Sequence, residues 1–124
     1  MEWCHQLDRA IPEDRLAALC TLERLPGLCQ DIYEVSAPSG PDQAEISCVW
    51  GVFETRRSRI RNGIRYELLS CPNALQWTVT TRHGATTLHG SINQLAPDQD
   101  FADSIGAFLD SFRQGLLAAD SSGR

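Results

Sequence analysis

The chain contains no lysine: its eleven basic residues are all arginine. That absence excludes Schiff-base chemistry and the phosphate-binding lysine of a P-loop. The motifs G-x-G-x-x-G and G-x-S-x-G and any C-x-x-C pair are also missing. No dinucleotide fingerprint, nucleophile elbow or zinc-ribbon spacing can therefore be read. No apolar run approaches the roughly 20 residues of a membrane helix. The stretch Met1-Glu-Trp-Cys-His-Gln-Leu-Asp-Arg9 has neither a basic n-region nor an apolar h-region, so a cytoplasmic location with no membrane partner is expected. The five cysteines, Cys4, Cys20, Cys29, Cys48 and Cys71, are odd in number and widely spaced, and they read as reduced, mostly buried thiols. No metal and no cofactor is expected. Arginine codons are mostly GC-rich and lysine codons AT-rich, which points to a bacterial genome.

What is present is the composition of one globular domain: 124 residues, 42% hydrophobic and 22% charged, with a net charge of -5. The domain spans 1–124, with 1–10 and 119–124 expected to be loose. The charge is uneven: residues 1–45 carry net -6, residues 46–82 net +4 and residues 83–124 net -3. The acidic total argues against nucleic-acid binding, which draws on phosphate neutralisation. The basic middle is the exception.

The clearest local signal is His83-Gly84, which lies between Leu75–Arg82 and Ala85–Ile92. A two-residue turn there sets Trp77 against Gly90, Val79 against Leu88 and Thr81 against Thr86 on one dry face. The pairs Gln76/Ser91, Thr78/His89 and Thr80/Thr87 fall on a wet face. Pro12 to Leu25 reads as a helix that Pro26-Gly27 ends, with Glu13 and Asp14 at its positive pole. Asp31–Ser36 is a short strand. From Glu45 a long strand alternates Ile46, Cys48, Trp50 and Val52 against Ser47, Val49, Gly51 and Phe53 and runs into the arginine cluster. At Asn62-Gly63, a three-residue loop pairing Ile60 with Ile64 and Arg57 with Glu67 keeps more apolar residues on one face than a two-residue turn does. Phe101, Ile105, Phe108, Leu109, Phe112 and Leu116 recur at helical spacing, and Asp98, Asp100 and Asp103 lie at the start of that helix. The expected fold is α+β: a two-layer domain with an antiparallel meander of about five strands flanked by an N-terminal and a C-terminal helix.

Two features are candidates for binding. Arg56, Arg57, Arg59, Arg61 and Arg65 crowd one hairpin, and arginine forms forked bonds to phosphate and carboxylate. Within this cluster Arg57-Ser-Arg-Ile-Arg61 resembles the R-x-x-x-R half of the PilZ cyclic-di-GMP motif, without its downstream [DN]-x-S-x-x-G half. The structural alternative is that the arginines protect the hairpin or pair with Glu54 and Glu67. The second feature is apolar: Val49, Phe53 and Leu69 are expected opposite the core face. There they are either covered by the N-terminal helix or used as an interface. His83 and His89 have no predicted carboxylate partner, and no catalytic residue is assigned.

A small acidic α+β chain with terminal helices around a sheet resembles the type III secretion chaperones in size, acidity and outline. That resemblance implies a dimer binding an effector segment. It departs from them at Cys71-Pro-Asn-Ala74, which is too short for the helix those chaperones carry within the strand series. The reading that follows is a non-enzymatic protein-interaction or adaptor domain with a protein partner and a weak homodimer. A secretion-chaperone-like dimer and a small anionic-ligand binder using the arginine hairpin are the alternatives.

Overall fold

The computed structural model describes residues 1–122. In chain order the elements are β1 (Glu2–Gln6), α1 (Glu13–Leu19), α2 (Leu25–Leu28), β2 (Ile32–Ser36), β3 (Gln43–Cys48), β4 (Gly51–Ile60), β5 (Gly63–Leu68), β6 (Gln76–Arg82), β7 (Ala85–Ser91) and α3 (Gln99–Ser122). All strand pairs are antiparallel, in the order β1-β7-β6-β5-β4-β3-β2. The α+β expectation stands, with seven strands in place of five. Among the described residues no helix is long and apolar enough to cross a membrane.

The β6–β7 hairpin has the expected register, including Trp77↔Gly90, Val79↔Leu88 and Thr78↔His89. His83 and Gly84 both adopt positive φ, 52° and 78°, as a tight turn matched to strand twist requires. The two extra strands have separate causes. The N-terminal segment expected to be loose forms β1, because its backbone finds the free edge of β7. The long strand expected from Glu45 is broken by a turn at Val49–Trp50, where Cys48 pairs with Gly51. Trp50 leaves the ladder to meet α3: its Nε1 donates to Ser104 Oγ at 2.9 Å and its ring packs on Phe108 at 4.9 Å.

That turn reverses the facing of the rest of β4, whereas Ile64, Tyr66 and Leu68 of β5 face the core as expected. Phe53 pairs with Ile46 and packs against the core, while Val52 pairs with Ser47 and is 59% exposed. The expectation that Phe53 faces outward is therefore corrected. The β4–β5 register also differs from both alternatives considered. The turn is Arg61–Asn62, with Asn62 at φ 69°, and it pairs Ile60 with Gly63, Arg57 with Tyr66 and Arg56 with Glu67. Gly63 serves the strand rather than the turn. A Cβ there would lie 1.8 Å from the Val79 carbonyl oxygen.

The expected N-terminal helix is interrupted between Leu19 and Leu25, and Pro26 falls in the first turn of α2 instead of ending a helix. The last helix carries the expected apolar stripe, with Phe101 half-buried at its edge. It continues beyond the stripe, so Ala119 to Ser122 are helical and Asp120 is buried; residues 123 and 124 lie outside the described residues. Tyr66, Trp77, Phe108 and Phe112 fill the space between α3 and the sheet, with Tyr66 stacked on Trp77 at 5.1 Å and Trp77 edge-on to Phe108 at 5.1 Å. Both terminal helical segments pack on this side. Apart from the buried Gly63, the outer side of the sheet carries exposed and half-buried residues.

Candidate functional site

The arginine hairpin does not present one face. Strand alternation places Arg56 and Arg65 on the outer side and Arg57 and Arg59 on the helix side, with Arg61 exposed in the turn. Arg56 and Arg65 both reach Glu67 Oε1, at 3.1 and 3.4 Å, and Arg59 lies 3.7 Å from Asp14. Arg57, whose side chain is 11% exposed, turns inward. It donates to the carbonyls of Cys20 at 2.6 Å and Ala17 at 2.8 Å, and to Asp42 Oδ1 at 3.1 Å. It thus caps the orphan carbonyls at the end of α1 and accounts for the helix break there.

The same end of the molecule is tied down twice more. Thr86 Oγ1 accepts from Ile11 N at 2.8 Å and Thr81 Oγ1 donates to Ile11 O at 2.5 Å, which locks the β1–α1 connection onto the β6–β7 hairpin. Arg9 and Arg15 both bind the Asp120 carboxylate, which joins the start of the chain to the last turn of α3.

The opposite end of the sheet is built differently. It consists of the chain start, the entry to β2, the β3–β4 turn, the β5–β6 and β7–α3 loops and the start of α3. All six exposed large hydrophobic residues among those described lie there: Met1, Tyr33, Val49, Val52, Leu69 and Leu95, the last 94% exposed. The segments forming it, 1–3, 29–33, 48–53, 69–75 and 92–103, contain Glu2, Asp31, Asp98, Asp100 and Asp103 and no arginine. Val49 and Leu69 of the expected interface belong to this end and are exposed; the structure substitutes Val52 for Phe53 beside them. No helix covers Val52 or Leu69, because α1 packs against β5 and β6 from the other side.

Reactive groups are few. Burial pushes the Cys20 thiol up to about 12, against the lowering influence of Arg57 and the Tyr66 hydrogen bond. Burial likewise pushes Cys29 up to about 11 and raises Cys48. None of these three offers a thiolate at neutral pH. Burial also raises the Tyr66 phenol, whose hydroxyl donates to Thr21 O at 3.0 Å. Asp110 is held low by Arg113. His89 does gain a carboxylate that pattern reading missed: its Nε2 lies 2.7 Å from Glu2 Oε1, with Cys4 directly across the ladder. Only the pairing of β1 with β7 creates this contact. The pair stands on the open outer surface, with His89 38% and Glu2 71% exposed, where a substrate would find no water-excluding wall. Among the described residues no three His, Cys, Asp or Glu side chains are grouped as a metal ion would need.

No family model matches the chain, and no curated protein matches it in sequence. Solved structures match its fold. A START superfamily protein from Mycobacterium smegmatis superposes with a TM-score of 0.67 at 14% identity, over 100% of this chain and 98% of that one. The protein XoxI from Bacillus cereus superposes with a TM-score of 0.60 at 12% identity, over 97% of this chain and 96% of that one. The chain shares their fold over essentially its whole length.

Proposed function

We propose that the protein is a non-catalytic interaction domain that takes its partner at the apolar, acid-rimmed end of the sheet. The observation that carries this reading is that all six exposed large hydrophobic residues among those described, Met1, Tyr33, Val49, Val52, Leu69 and Leu95, lie toward one end of the sheet, with Val49, Val52 and Leu69 on or beside the neighbouring strands β3, β4 and β5. Scattered apolar residues are ordinary on a protein surface, whereas apolar residues gathered inside a polar rim favour a partner that removes them from water. The rim chooses the partner's chemistry. Five carboxylates without an arginine suit a segment with apolar anchors flanked by basic residues, and complementary charge gives such a contact both its on-rate and its specificity.

A symmetric dimer through this end would bring Asp98, Asp100 and Asp103 of two copies together, so like-charge repulsion disfavours the homodimer relative to a basic partner. The anionic-ligand reading loses support because Arg56, Arg57, Arg59 and Arg65 meet their counter-charges within the chain. The secretion-chaperone reading gains none, since β2 to β7 run without an intervening helix.

Site-specific photocrosslinking in cells tests the proposal. A photoreactive residue at Val52 or Leu95 should give a discrete covalent adduct with a protein bearing a basic segment, and one at Arg61 or Thr80 should not. Adducts formed only at Arg61 or Thr80, or at none of the four positions, would overturn it.

A further inference from the structure

The sheet ends at β2, the last strand in its order, and the ladder fixes which backbone groups of that strand are spare. Arg57 N donates to Asp42 O at 2.9 Å, so the even-numbered residues of β3 turn their backbone groups to β4 and the odd-numbered ones turn theirs to β2. Glu34 and Ser36, opposite Ser47 and Glu45, therefore bond to β3. Val35, between them, points its N–H and C=O to the open edge.

A groove of about 650 Å³ runs along that edge, between the α1–α2 connection and the β2–β3 loop. Tyr33, Glu34 and Val35 all line it. Glu34 projects from the outer face, whereas Val35 pairs with Ile46 and faces the helices, so the groove reaches round the edge of the strand. On the helix side its floor is Val35 and Ala44 with Leu22 beside them, and Pro26, Pro38 and Pro41 stiffen its walls.

The outer face beside this edge is acidic. Glu34, Glu45 and Glu54 stand on β2, β3 and β4, with Glu45 directly opposite Glu54, and none of the three has an ion-pair partner among the described residues. Like charges across a ladder destabilise it, and a cation brought beside them relieves the repulsion.

We propose that β2 accepts an extended, basic segment of a partner protein as a further antiparallel strand. The residue opposite Val35 exchanges both backbone bonds with it and lays an apolar side chain in the groove, while its neighbours project from the outer face as basic side chains that meet Glu34. The bulge at Tyr33 and the Glu34 carboxylate guard the edge against indiscriminate pairing. A second copy of this chain would bring Glu34 and Glu45 against the same charges, which favours a basic segment as the occupant. Tyr33 is where this edge meets the apolar end, and the added strand is a second contact that does not depend on the first.

The probe is the peptide acetyl-Lys-Val-Lys-Val-Lys-amide, titrated into the whole protein and followed by two-dimensional NMR. The Val35 amide should move downfield as its N–H finds an acceptor, with Ala44 shifting beside it. N-methylation of the valines removes the donors that face β2 and should weaken binding by about tenfold or more, whereas N-methylation of the lysines, whose N–H groups face away, should change it by less than about twofold. Glu34→Lys, at an exposed position, should weaken the peptide about threefold without lowering the melting temperature. Val52→Ser/Leu69→Ser should leave the Val35 shift in place, so failure at this edge is told apart from failure at the apolar end. Equal losses from the two methylation patterns, an undiminished affinity in the Glu34→Lys variant, or no shift at Val35 would overturn the proposal.

Discussion

The two ends of the sheet solve opposite problems. At the end bearing the β4–β5 and β6–β7 turns, polar side chains are directed inward: Arg57 onto the α1 carbonyls, Thr81 and Thr86 onto Ile11, and Arg15 onto Asp120. These contacts fix an N-terminal segment whose helices, Glu13–Leu19 and Leu25–Leu28, are too short to be stable alone. At the other end, apolar side chains are directed outward, and among the described residues no helix covers Val52 or Leu69. The richest cluster of charge is thus largely paired within the chain, and the exposed large hydrophobic residues lie at the end away from it. Register, rather than composition, decides which residues do which task.

The comparison can be broken most severely at Gly63. Gly63→Ala places a methyl group against the Val79 carbonyl and should cost about 3 kcal/mol or more, read by urea denaturation. An unchanged midpoint would mean that β5 and β6 are not so closely packed. Alkaline pH should act next, through the buried thiols. Folded Cys20 and Cys29 titrate at about 12 and 11, against 9.0 for a free thiol, so the unfolded chain loses their protons first. Their contribution is fully present below pH 9 and is lost as pH rises above it, at about 1.4 kcal/mol per pH unit for each thiol, or roughly 3 kcal/mol by pH 10. Denaturant melts from pH 8 to 10 should show that loss, and Cys20→Ala/Cys29→Ala should reduce it to the remainder left by Cys48 and Tyr66. The smallest effects sharpen the contrast within the arginine cluster. Arg57→Ala should cost about 2 kcal/mol by leaving the end of α1 uncapped, while Arg61→Ala should stay within about 0.5 kcal/mol. Equal melting temperatures for the two variants would erase the distinction between inward and outward arginines.

Much of the fold was legible where one local pattern determined its own register. The β6–β7 pairing follows from a two-residue turn flanked by alternation, and α3 from one apolar stripe. The β3–β4 turn was hidden because Ile46, Cys48, Trp50 and Val52 alternate without a break, and the cause of the turn is Trp50's contact with α3, far away in sequence. Asn62-Gly63 misled for a related reason. The glycine answers a cross-strand approach to Val79 that no local pattern displays. β1 carries no strand signal of its own and exists because β7 offers an edge. The same limits governed the site. Val49 and Leu69 were placed correctly outward, Phe53 and Val52 were exchanged by the unseen turn, and the Glu2–His89 pair could not be found without β1. The groove was invisible because its walls are a helix break and a proline-rich loop brought together by the closing sheet edge.

The central claim is that the apolar, acid-rimmed end receives a basic amphipathic segment. The direct measurement is a two-dimensional NMR titration with two synthetic peptides, one of leucine and arginine, the other with glutamate replacing every arginine. The account predicts that the arginine peptide shifts Val49, Val52, Leu69 and Leu95, that its affinity falls as salt is added, and that Val52→Ser/Leu69→Ser weakens it without lowering the melting temperature. Equal binding of the glutamate peptide, or shifts centred on the Arg61–Asn62 turn, would contradict it.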